Sequence, residues 1–393
     1  MIASDEMTLR IVHVITTLDA DGAQLMLCRL LRAMDRRSFA SEVLCLTGPG
    51  RAGERIASMG FRVRCLGMTS APADAARLLR LVSCLRAERV HVVQTWMYHA
   101  DLMGGVAAYL SGRIPVAWGI RQTNLDARAT RPRTIRVARL CARLSRVLPR
   151  RIVCCSDAAR RAHADLGYSR EKMVVIQNGF DLESFRPDPA ARAGVRAELG
   201  VEESTPLVGL VGRLDAVKDH RTFFRAAGLV ARERPAVHFV ACGEGVSQGE
   251  PSLRRLVAEA GIAGRCHLLG WREDVTRITA ALDVACSSSF GEGFSNTIGE
   301  AMASAVPCVA TAVGDAAATI GDTGVVVPPE APEAFAAGVL RLLELPAEQR
   351  RALGAAARER IRREFDLPAV ASRYEALYRE LASGDAGVDR VRG

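Results

Sequence analysis

One stretch of the sequence, residues 282–311, constrains the fold more than any other. Residues 282–286 are apolar apart from Asp283 and predict a strand, and glycines at positions 291 and 293 follow it. A helix is predicted over residues 296–304, and a second short apolar strand comes after it. This order of strand, glycine-rich loop, helix and strand is typical of a parallel α/β sheet. There the loop and the helix N-terminus direct backbone N–H groups at an anion such as phosphate.

Two carboxylates lie in this stretch, Glu292 in the loop and Glu300 about one turn into the predicted helix. A carboxylate is poorly suited to binding phosphate but well suited to accepting hydrogen bonds from sugar hydroxyls. A phosphate-binding turn beside two such acceptors indicates a sugar nucleotide as the ligand.

The rest of the chain repeats the same alternation in two blocks. Seven strands are predicted between residues 10 and 176, and six between residues 207 and 327, with helices between them. A turn and two prolines place a linker at about residues 180–190, and residues 331–382 read as helical. We therefore predict an α/β protein of two doubly wound domains facing a central cleft, with ligands at the carboxyl ends of the strands.

Composition excludes several classes of protein. Apolar residues make up 49% and charged residues 25% of the chain, as in globular enzymes, whereas aromatic residues are only 5%, too few for a base-stacking nucleic-acid surface. The 11 cysteines form no CxxC pair, which favours a reducing compartment over disulfides or zinc. No apolar run is long enough to span a membrane, and the first strand begins too early for a signal peptide. We expect a cytoplasmic protein.

Charge is distributed unevenly along the chain. Residues 1–180 hold 28 Lys/Arg against 14 Asp/Glu, and the remainder holds 25 against 30. Residues 127–152 contain nine arginines and no acid, and Arg136, Arg139, Arg143, Arg146 and Arg150 recur at helical spacing. The helix predicted at 134–148 is either an ordinary solvated face or a surface for anionic lipid headgroups or a phosphate-bearing acceptor. RNA is the less favoured partner.

Three turns of the second block are candidates for the donor site. Gly212 to Asp219 follows a strand, and Arg213 and Lys218 within it can reach one diphosphate, although they are also compatible with two solvated surface bases. Gly243 lies in a second glycine turn. Residues 269–275, which contain Arg272, either line a base pocket or form a plain surface turn.

Candidate acceptor residues follow strands of the first block. Tyr98 and His99 come after the strand at 90–94, where His99 either hydrogen-bonds a sugar hydroxyl, accepts a proton or only packs. Arg121 and Asn124 follow the strand at 115–118 and are equally compatible with a structural role. Residues 19–24, after the first strand, read as a loop that approaches an acceptor.

Two formal motif matches are set aside. Residues 48–53 match GxGxxG, but they follow the second strand and include Pro49, so a dinucleotide site is not expected there. Residues 19–21 match Asp-x-Asp, but their place in the first loop argues against a metal site.

Glu292 and Glu300 form a Glu-x7-Glu pattern inside Gly-Glu-Gly-Phe-x5-Glu-Ala-Met-Ala, which resembles the signature of the family 4 retaining glycosyltransferases of GT-B fold. The resemblance spans nearly the whole chain in the right order. It includes residues 21–24, 177–181, 212–218, 242–245 and 269–275. The chain departs from the family where Asp21 replaces a glycine and where a frequent glycine near residues 304–305 is absent.

The resemblance implies a division into domains and a set of site residues. Residues 1–185 would bind the acceptor, residues 186–366 the nucleotide sugar, and residues 367–393 would form a helix crossing back to the first domain plus a tail. Arg213 and Lys218 would hold the diphosphate, Glu292 the donor sugar and Glu300 the ribose. Catalytic residues would be His99, Arg213, Lys218 and Glu292. The implied donor contacts are Gly212, Arg213, Lys218, Gly243, Arg272, Glu292, Gly293, Phe294, Ser295, Asn296, Thr297 and Glu300. The implied acceptor contacts are Gly22, Ala23, Gln24, Tyr98, His99, Arg121 and Asn124.

The function implied is metal-independent, retaining transfer of a hexose from a UDP- or GDP-sugar to a glycan or polyprenyl-linked acceptor, in the synthesis of cell-surface polysaccharide or glycolipid. No cofactor is implied, and the enzyme would work in the cytoplasm, free or peripherally on the inner face of the plasma membrane. Two alternatives stay open. A nucleotide-sugar 2-epimerase on the same fold would need further acid/base carboxylates. The joint presence of Arg213, Lys218, Glu292 and Glu300 argues against the other alternative, a non-catalytic sugar-nucleotide-binding module.

Overall fold

The computed structural model describes residues 8–19, 22–69, 74–123, 125–126, 128 and 130–384. The chain divides into two compact units, Met1–Gly179 with Leu367–Gly393 (unit 1) and Phe180–Asp366 (unit 2). The sequence places the corresponding boundaries after residues 185 and 366.

Unit 1 is built on a sheet of seven parallel strands. These are β1 (Leu9–Ile15), β2 (Phe39–Cys45), β3 (Arg62–Cys65), β4 (Val92–Trp96), β5 (Val116–Ile120), β6 (Arg151–Cys154) and β7 (Met173–Val175). Their order in the sheet is β3-β2-β1-β4-β5-β6-β7. The helices between them are α1 (Gly22–Ala33), α2 (Arg51–Ser58), α3 (Asp74–Ala87), α4 (Tyr98–Leu110), α5 (Pro132–Leu144) and α6 (Asp157–Asp165). Strands β4 and β5 are buried along their whole length, as expected for central strands covered by helices on both faces.

Unit 2 repeats this arrangement with six parallel strands. These are β8 (Leu207–Val211), β9 (His238–Cys242), β10 (Cys266–Leu268), β11 (Val284–Ser287), β12 (Cys308–Thr311) and β13 (Val325–Val327), in the order β10-β9-β8-β11-β12-β13. Its helices are α7 (Pro189–Leu199), α8 (His220–Glu233), α9 (Pro251–Glu259), α10 (Val275–Ala281), α11 (Asn296–Ala303), α12 (Ala316–Ile320), α13 (Pro332–Glu344) and α14 (Ala347–Glu364). In both sheets the order reverses beside the first strand, so loops from neighbouring strands meet at one edge.

The last helix, α15 (Leu367–Ser383), returns to unit 1 and packs in its core. Tyr374 lies against the Trp96 ring with 6.2 Å between ring centroids, and Tyr378 lies edge-on to Phe39 at 6.4 Å. Both tyrosines are almost fully buried. Polar contacts add to this packing, since Glu375 accepts a hydrogen bond of 2.9 Å from the Asp35 N–H. The final helix is therefore an integral part of unit 1.

The two parallel sheets confirm the predicted fold class, including seven and six strands. The helix predicted at 134–148 starts and ends earlier, at Pro132 and Leu144, because a proline suits the first helical turn and Pro149 limits its extension. Residues 180–190 are not all linker: Asp188 accepts a 2.8 Å hydrogen bond from the Ala191 N–H and caps α7, which begins at Pro189.

Candidate functional site

Three loops meet at the carboxyl edge of the unit 2 sheet, after β8, β9 and β10. The Gly212 N–H donates to the Cys242 carbonyl at 2.8 Å, and the Gly243 N–H donates to the Gly270 carbonyl at 2.8 Å. Gly243 has φ of 157°, and a Cβ added there would lie 2.2 Å from the Gly212 carbonyl oxygen. Glycine is required at 243 because the neighbouring backbone leaves no room for a side chain. The predicted glycine turns thus form one connected edge.

The loop after β11 is fastened to the loop after β8. The Lys218 ammonium lies 2.5 Å from a Glu292 carboxylate oxygen, and the same oxygen accepts a 2.8 Å hydrogen bond from the Ser289 hydroxyl. The Phe290 N–H donates to the Val217 carbonyl at 3.0 Å. Lys218 and Glu292 are far apart in sequence, so the structure joins two of the predicted donor residues in one ion pair.

Arg213 lies on the same edge, in the loop after β8. Its Nε and Nη2 donate to one oxygen of Asp215 at 3.1 and 2.9 Å. The other Asp215 oxygen accepts the Val217 N–H at 2.9 Å and so caps the short 3-10 turn Ala216–Lys218. The sequence predicted roles for Arg213 and Lys218 but none for the acid between them.

The glycine-rich loop passes close to another turn before α11 begins. Gly314 has φ of 55°, and a Cβ there would lie 2.6 Å from the Glu292 carbonyl oxygen. The Phe294 side chain points away from the edge, because it is buried against Phe180 with 6.1 Å between ring centroids. Only the backbone of Phe294 is thereby left for the donor contact that the sequence predicts.

Helix α11 starts at Asn296 and places Glu300 in a small cavity. Glu300 is 6% exposed. The cavity is lined by residues of β8, β11 and the neighbouring helices, including Val211, Thr279, Cys286, Thr297 and Glu300. The Ser295 and Thr297 hydroxyls are 3.3 Å apart at the start of the helix. Hydroxyl groups of a ligand are donors that a carboxylate such as Glu300 accepts.

Arg272 is held in an ion network after β10. Its Nε lies 2.7 Å from one Asp274 oxygen, and its Nη2 lies 3.1 Å from a Glu198 oxygen. The hydrogen bonds that Arg272 donates to Asp274 and Glu198 raise the pKa of Arg272, and the bond to Asp274 lowers the pKa of Asp274 to about 2 despite partial burial. These acids direct Arg272 toward the end of α7, and its donor contact stays a prediction.

In unit 1, His99 lies half-buried in the first turn of α4. Burial lowers the pKa of His99, and the positive charge of Arg133 lowers it further, so the imidazole is neutral at pH 7. Met97, just before the helix, has φ of 74°, in the left-handed region that costs energy for a residue other than glycine. Its N–H donates to the Gly119 carbonyl at 2.9 Å. The turn that carries His99 is thus held in one conformation.

Asp101 supports this turn and was not predicted as a site residue. It is fully buried, and one carboxylate oxygen accepts the Thr95 hydroxyl at 2.5 Å and the Gly119 N–H at 3.1 Å. Burial raises the pKa of Asp101 to about 8. The sequence feature that could have indicated this role is an acid in an apolar helix, two residues after His99.

Other predicted acceptor side chains are bound within unit 1. Gln24 is 1% exposed and donates to the Thr17 hydroxyl at 3.0 Å. The Tyr98 hydroxyl lies 2.8 Å from His163 Nε2 in the interior. The Tyr98 ring is buried and its hydroxyl already has a partner, which favours a structural role over the predicted acceptor contact.

Arg121 contacts three side chains of unit 1. It lies over the Trp96 ring at 5.1 Å from the centroid and donates to Tyr374 at 3.3 Å and to Asn178. Gly22 and Ala23 form the first turn of α1, and the predicted contact Asn124 lies outside the described residues.

Among the described residues, no group of three or more His, Cys, Asp or Glu side chains is arranged to hold a metal ion. None of the described helices is long and apolar enough to cross a membrane.

Two Rossmann-like units with parallel sheets define the chain as a GT-B protein. A family model described as Glycosyltransferase Family 4 matches residues 20–184, and one described as Glycosyl transferases group 1 matches residues 205–345. The chain belongs to the family 4 glycosyltransferases.

Named relatives agree with this assignment. The chain is 32% identical over 229 residues to a D-inositol 3-phosphate glycosyltransferase of Segniliparus rotundus, covering 55% of this chain and 49% of that protein. It is 27% identical over 242 residues to the UDP-Gal:alpha-D-GlcNAc-diphosphoundecaprenol alpha-1,3-galactosyltransferase of Escherichia coli, covering 60% and 61%. The chain thus spans about half the length of the curated relatives it matches.

A solved structure extends the likeness in fold to nearly the whole chain. HepE of Anabaena in complex with UDP-glucose superimposes with a TM-score of 0.82 at 20% identity, covering 94% of this chain and 99% of that one.

Proposed function

We propose that the protein transfers a sugar from a nucleoside-diphosphate sugar to a glycan or lipid-linked acceptor, with retention of configuration at the anomeric carbon. The observation that carries this proposal is the cluster at one sheet edge of unit 2. There the two cations Arg213 and Lys218 lie in the loop after β8, and Glu292 is paired with Lys218. Glu300 is buried on the adjoining helix. Cations for a diphosphate beside carboxylates for hydroxyls are what a sugar nucleotide requires.

Each charged group takes a part in the reaction. Arg213 and Lys218 bind the diphosphate and stabilise the negative charge that grows on it as the bond to the sugar breaks. Lys218 forms an ion pair with Glu292 at 2.5 Å, and Glu292 accepts hydrogen bonds from the donor sugar. Glu300 accepts the ribose hydroxyls. These two cations supply the positive charge, so the proposed reaction is independent of a metal.

The proposed chemistry is a same-face displacement. The acceptor oxygen forms a bond to the anomeric carbon on the face from which the nucleoside diphosphate leaves, and a phosphate oxygen of the leaving group takes the acceptor proton. His99, neutral at pH 7 because burial and Arg133 lower its pKa, accepts a hydrogen bond from a substrate hydroxyl.

The relatives support UDP as the nucleotide and a lipid-linked acceptor. The E. coli relative is named for a UDP-linked donor and a diphosphoundecaprenol acceptor, and HepE was solved with UDP-glucose. GDP is the second candidate. On this basis we propose that the enzyme acts in the synthesis of cell-surface polysaccharide or glycolipid.

The test is a screen of the purified protein against UDP-, GDP- and ADP-sugars with a polyprenyl-diphosphate glycan acceptor. We expect acceptor-dependent release of one nucleoside diphosphate, an unchanged anomeric configuration by NMR, and no loss of rate in EDTA. An inverted product would contradict retention, and inhibition by EDTA reversed by a divalent cation would contradict metal independence. Conversion of the donor to an epimer without acceptor would favour the epimerase instead.

We also propose that an exposed face of unit 1 binds anionic lipid headgroups at the inner face of the plasma membrane. Arg136, Arg139 and Arg143 are exposed on α5, and within the described part of the chain no carboxylate pairs with them. Leu140 on the same helix and Val147 after it are 42% and 66% exposed. Arginines interleaved with exposed apolar side chains are typical of interfacial membrane binding.

Apolar side chains on the neighbouring helices extend this face. Helices α3, α4 and α5 pack side by side, and Leu79, Tyr109 and Leu110 on α3 and α4 are 42% to 63% exposed. These residues add the apolar contact that arginines alone do not give.

The membrane test is sedimentation with vesicles of phosphatidylcholine, with or without phosphatidylglycerol. We expect Arg136→Glu/Arg139→Glu/Arg143→Glu to weaken binding to anionic vesicles at least tenfold, since each basic residue contributes about 1 kcal/mol. The matched control reverses three exposed arginines of unit 2, Arg225, Arg254 and Arg255. Equal partition of wild type and the α5 variant would leave this helix as an ordinary solvated face.

A further inference from the structure

Asp215 lies between the two cations of the proposed donor site and contacts the structural elements of both. One of its carboxylate oxygens accepts from Arg213 Nε at 3.1 Å and Nη2 at 2.9 Å. The other accepts the Val217 N–H at 2.9 Å, at the start of the 3-10 turn that ends at Lys218. One side chain therefore orients a guanidinium and caps the turn that carries an ammonium.

The Asp215 carboxyl is ionised at neutral pH. Burial alone would raise its pKa, but the hydrogen bonds from the Val217 N–H and from Arg213 outweigh burial, and the pKa lies below its ordinary value. The carboxylate keeps its charge even though its side chain is only 29% exposed.

The two cations are held in different ways. Lys218 is paired with Glu292, which belongs to the site itself because we propose that it binds the donor sugar. Arg213 is paired with an acid of its own loop, two residues away. Diphosphate groups are poor neighbours for a carboxylate, so ligand binding alone does not explain an acid at position 215.

We propose that Asp215 is a positioning residue, which fixes the plane of the Arg213 guanidinium and the turn bearing Lys218 so that both meet the diphosphate of the departing nucleotide. This inference rests on the proposed function. An arginine side chain has many rotamers, and a guanidinium held in place before the reaction stabilises developing charge without first having to be ordered.

Two substitutions separate the two contacts. Asp215→Asn retains an oxygen for the Val217 N–H but presents an NH2 group to Arg213, so it releases the guanidinium and keeps the turn. Asp215→Ala loses both contacts. We expect kcat to fall on the order of tenfold for the first and up to about a hundredfold for the second, as for small displacements of catalytic groups. The KM for the donor changes less, because removing an acid favours ground-state binding of the diphosphate.

Asp188→Ala is the matched control. Asp188 also caps a helix of unit 2, by accepting the Ala191 N–H at 2.8 Å, but it belongs to α7 and not to the site. This variant should keep wild-type kcat and KM. A fall in kcat equal to that of Asp215→Ala would mean that any lost cap in unit 2 has this effect, and would overturn the proposal.

A double-mutant cycle tests whether Asp215 acts through Arg213. Asp215→Asn should lower kcat about tenfold in the wild type and less than about twofold in an Arg213→Ala background, because the group to be oriented is gone. Equal factors in the two backgrounds would overturn the positioning role, and so would wild-type kcat in Asp215→Asn.

Calorimetry with UDP, GDP and ADP separates this inference from the proposed function. If the wild type binds at least one of them and Asp215→Ala has wild-type kcat, only the role of Asp215 fails. If the wild type binds none of them and transfers no sugar, the proposed function fails and the role of Asp215 fails with it.

Discussion

The carboxyl edges of the two sheets use their polar residues differently. In unit 2 five of the predicted donor residues are charged, and Lys218 pairs across loops with Glu292 at 2.5 Å. In unit 1 two of the predicted acceptor side chains are buried and bonded within the unit, Gln24 to Thr17 and Tyr98 to His163. His99 and Arg121 are half-buried.

This difference teaches which polar residues at a strand end report a ligand site. A neutral side chain with one or two hydrogen-bonding groups can satisfy them on nearby backbone or side chains and so serve only to fix a loop. Several like-charged side chains repel one another and need partners of opposite charge, which nearby backbone groups do not supply. A glycine-rich loop beside them leaves space for an anion. Charge together with glycine is therefore the stronger signal of function.

We expect the largest effect on kcat from substitution of Lys218, one of the two cations proposed to bind the diphosphate. Lys218→Ala should lower kcat about 10²- to 10³-fold, because it removes one group that stabilises the leaving diphosphate and the cation that pairs with Glu292. Steady-state kinetics with the active sugar nucleotide measure this. The control is Arg225→Ala, at an exposed arginine on α8. This variant should keep wild-type activity and stability. Near-wild-type turnover of Lys218→Ala would refute the donor-site assignment.

Glu300 should give the next largest effect. Glu300→Ala should lower kcat/KM about 10- to 100-fold, as expected for hydrogen bonds to a charged group, and weaken binding of the free nucleoside diphosphate in calorimetry. Glu300→Gln should recover part of the loss because its amide oxygen still accepts. Unchanged nucleotide affinity and unfolding temperature in Glu300→Ala would show that Glu300 does not bind the ribose.

Tyr98 tests the inward role of the unit 1 residues. Tyr98→Phe leaves the buried His163 Nε2 without its 2.8 Å partner, so it should lower the free energy of unfolding by about 1–3 kcal/mol. Denaturant melts measure this loss, and kcat should stay at the wild-type value. A lower rate of sugar transfer with unchanged stability would instead indicate that Tyr98 contacts the acceptor.

The smallest effect concerns the protonation of His99. Burial and Arg133 hold the pKa of His99 below its ordinary value, so the neutral form dominates at pH 7. Activity that needs this form falls as the pH decreases through that pKa. Arg133→Ala raises the pKa and should move the acid limb of kcat/KM to higher pH by roughly 0.2–0.5 units, since the arginine is exposed and screened.

Arg139→Ala removes the same charge from the same helix and serves as the control, with an expected shift no larger than the error of the profile. An NMR titration of His99 measures the pKa directly. An acid limb that does not move in Arg133→Ala while the NMR pKa does would show that His99 is not the titrating group.

The sequence predicts the strands well because each central strand is a short apolar run between glycine or proline turns, as in β8 and β11. It also predicts that Lys218 and Glu292 share one site, since both follow strands of the same sheet. It does not predict the partners of Tyr98 or Gln24, because the direction of a side chain at a strand end depends on packing between distant elements. Asp101 and Asp215 were missed for the same reason: their roles depend on the contacts with Gly119 and Arg213.

The return of α15 to unit 1 has a consequence for synthesis on the ribosome. Unit 1 lacks Tyr374 and Tyr378 until residues 180–366 have been translated, which takes about ten to forty seconds at bacterial rates of roughly 5–20 residues per second. During that interval Trp96 and Phe39 lack the α15 tyrosines that pack against them. Unit 2 is continuous in sequence, so it can complete its fold before unit 1 does. The nascent chain therefore needs a chaperone most while the N-terminal segment of unit 1 still lacks α15.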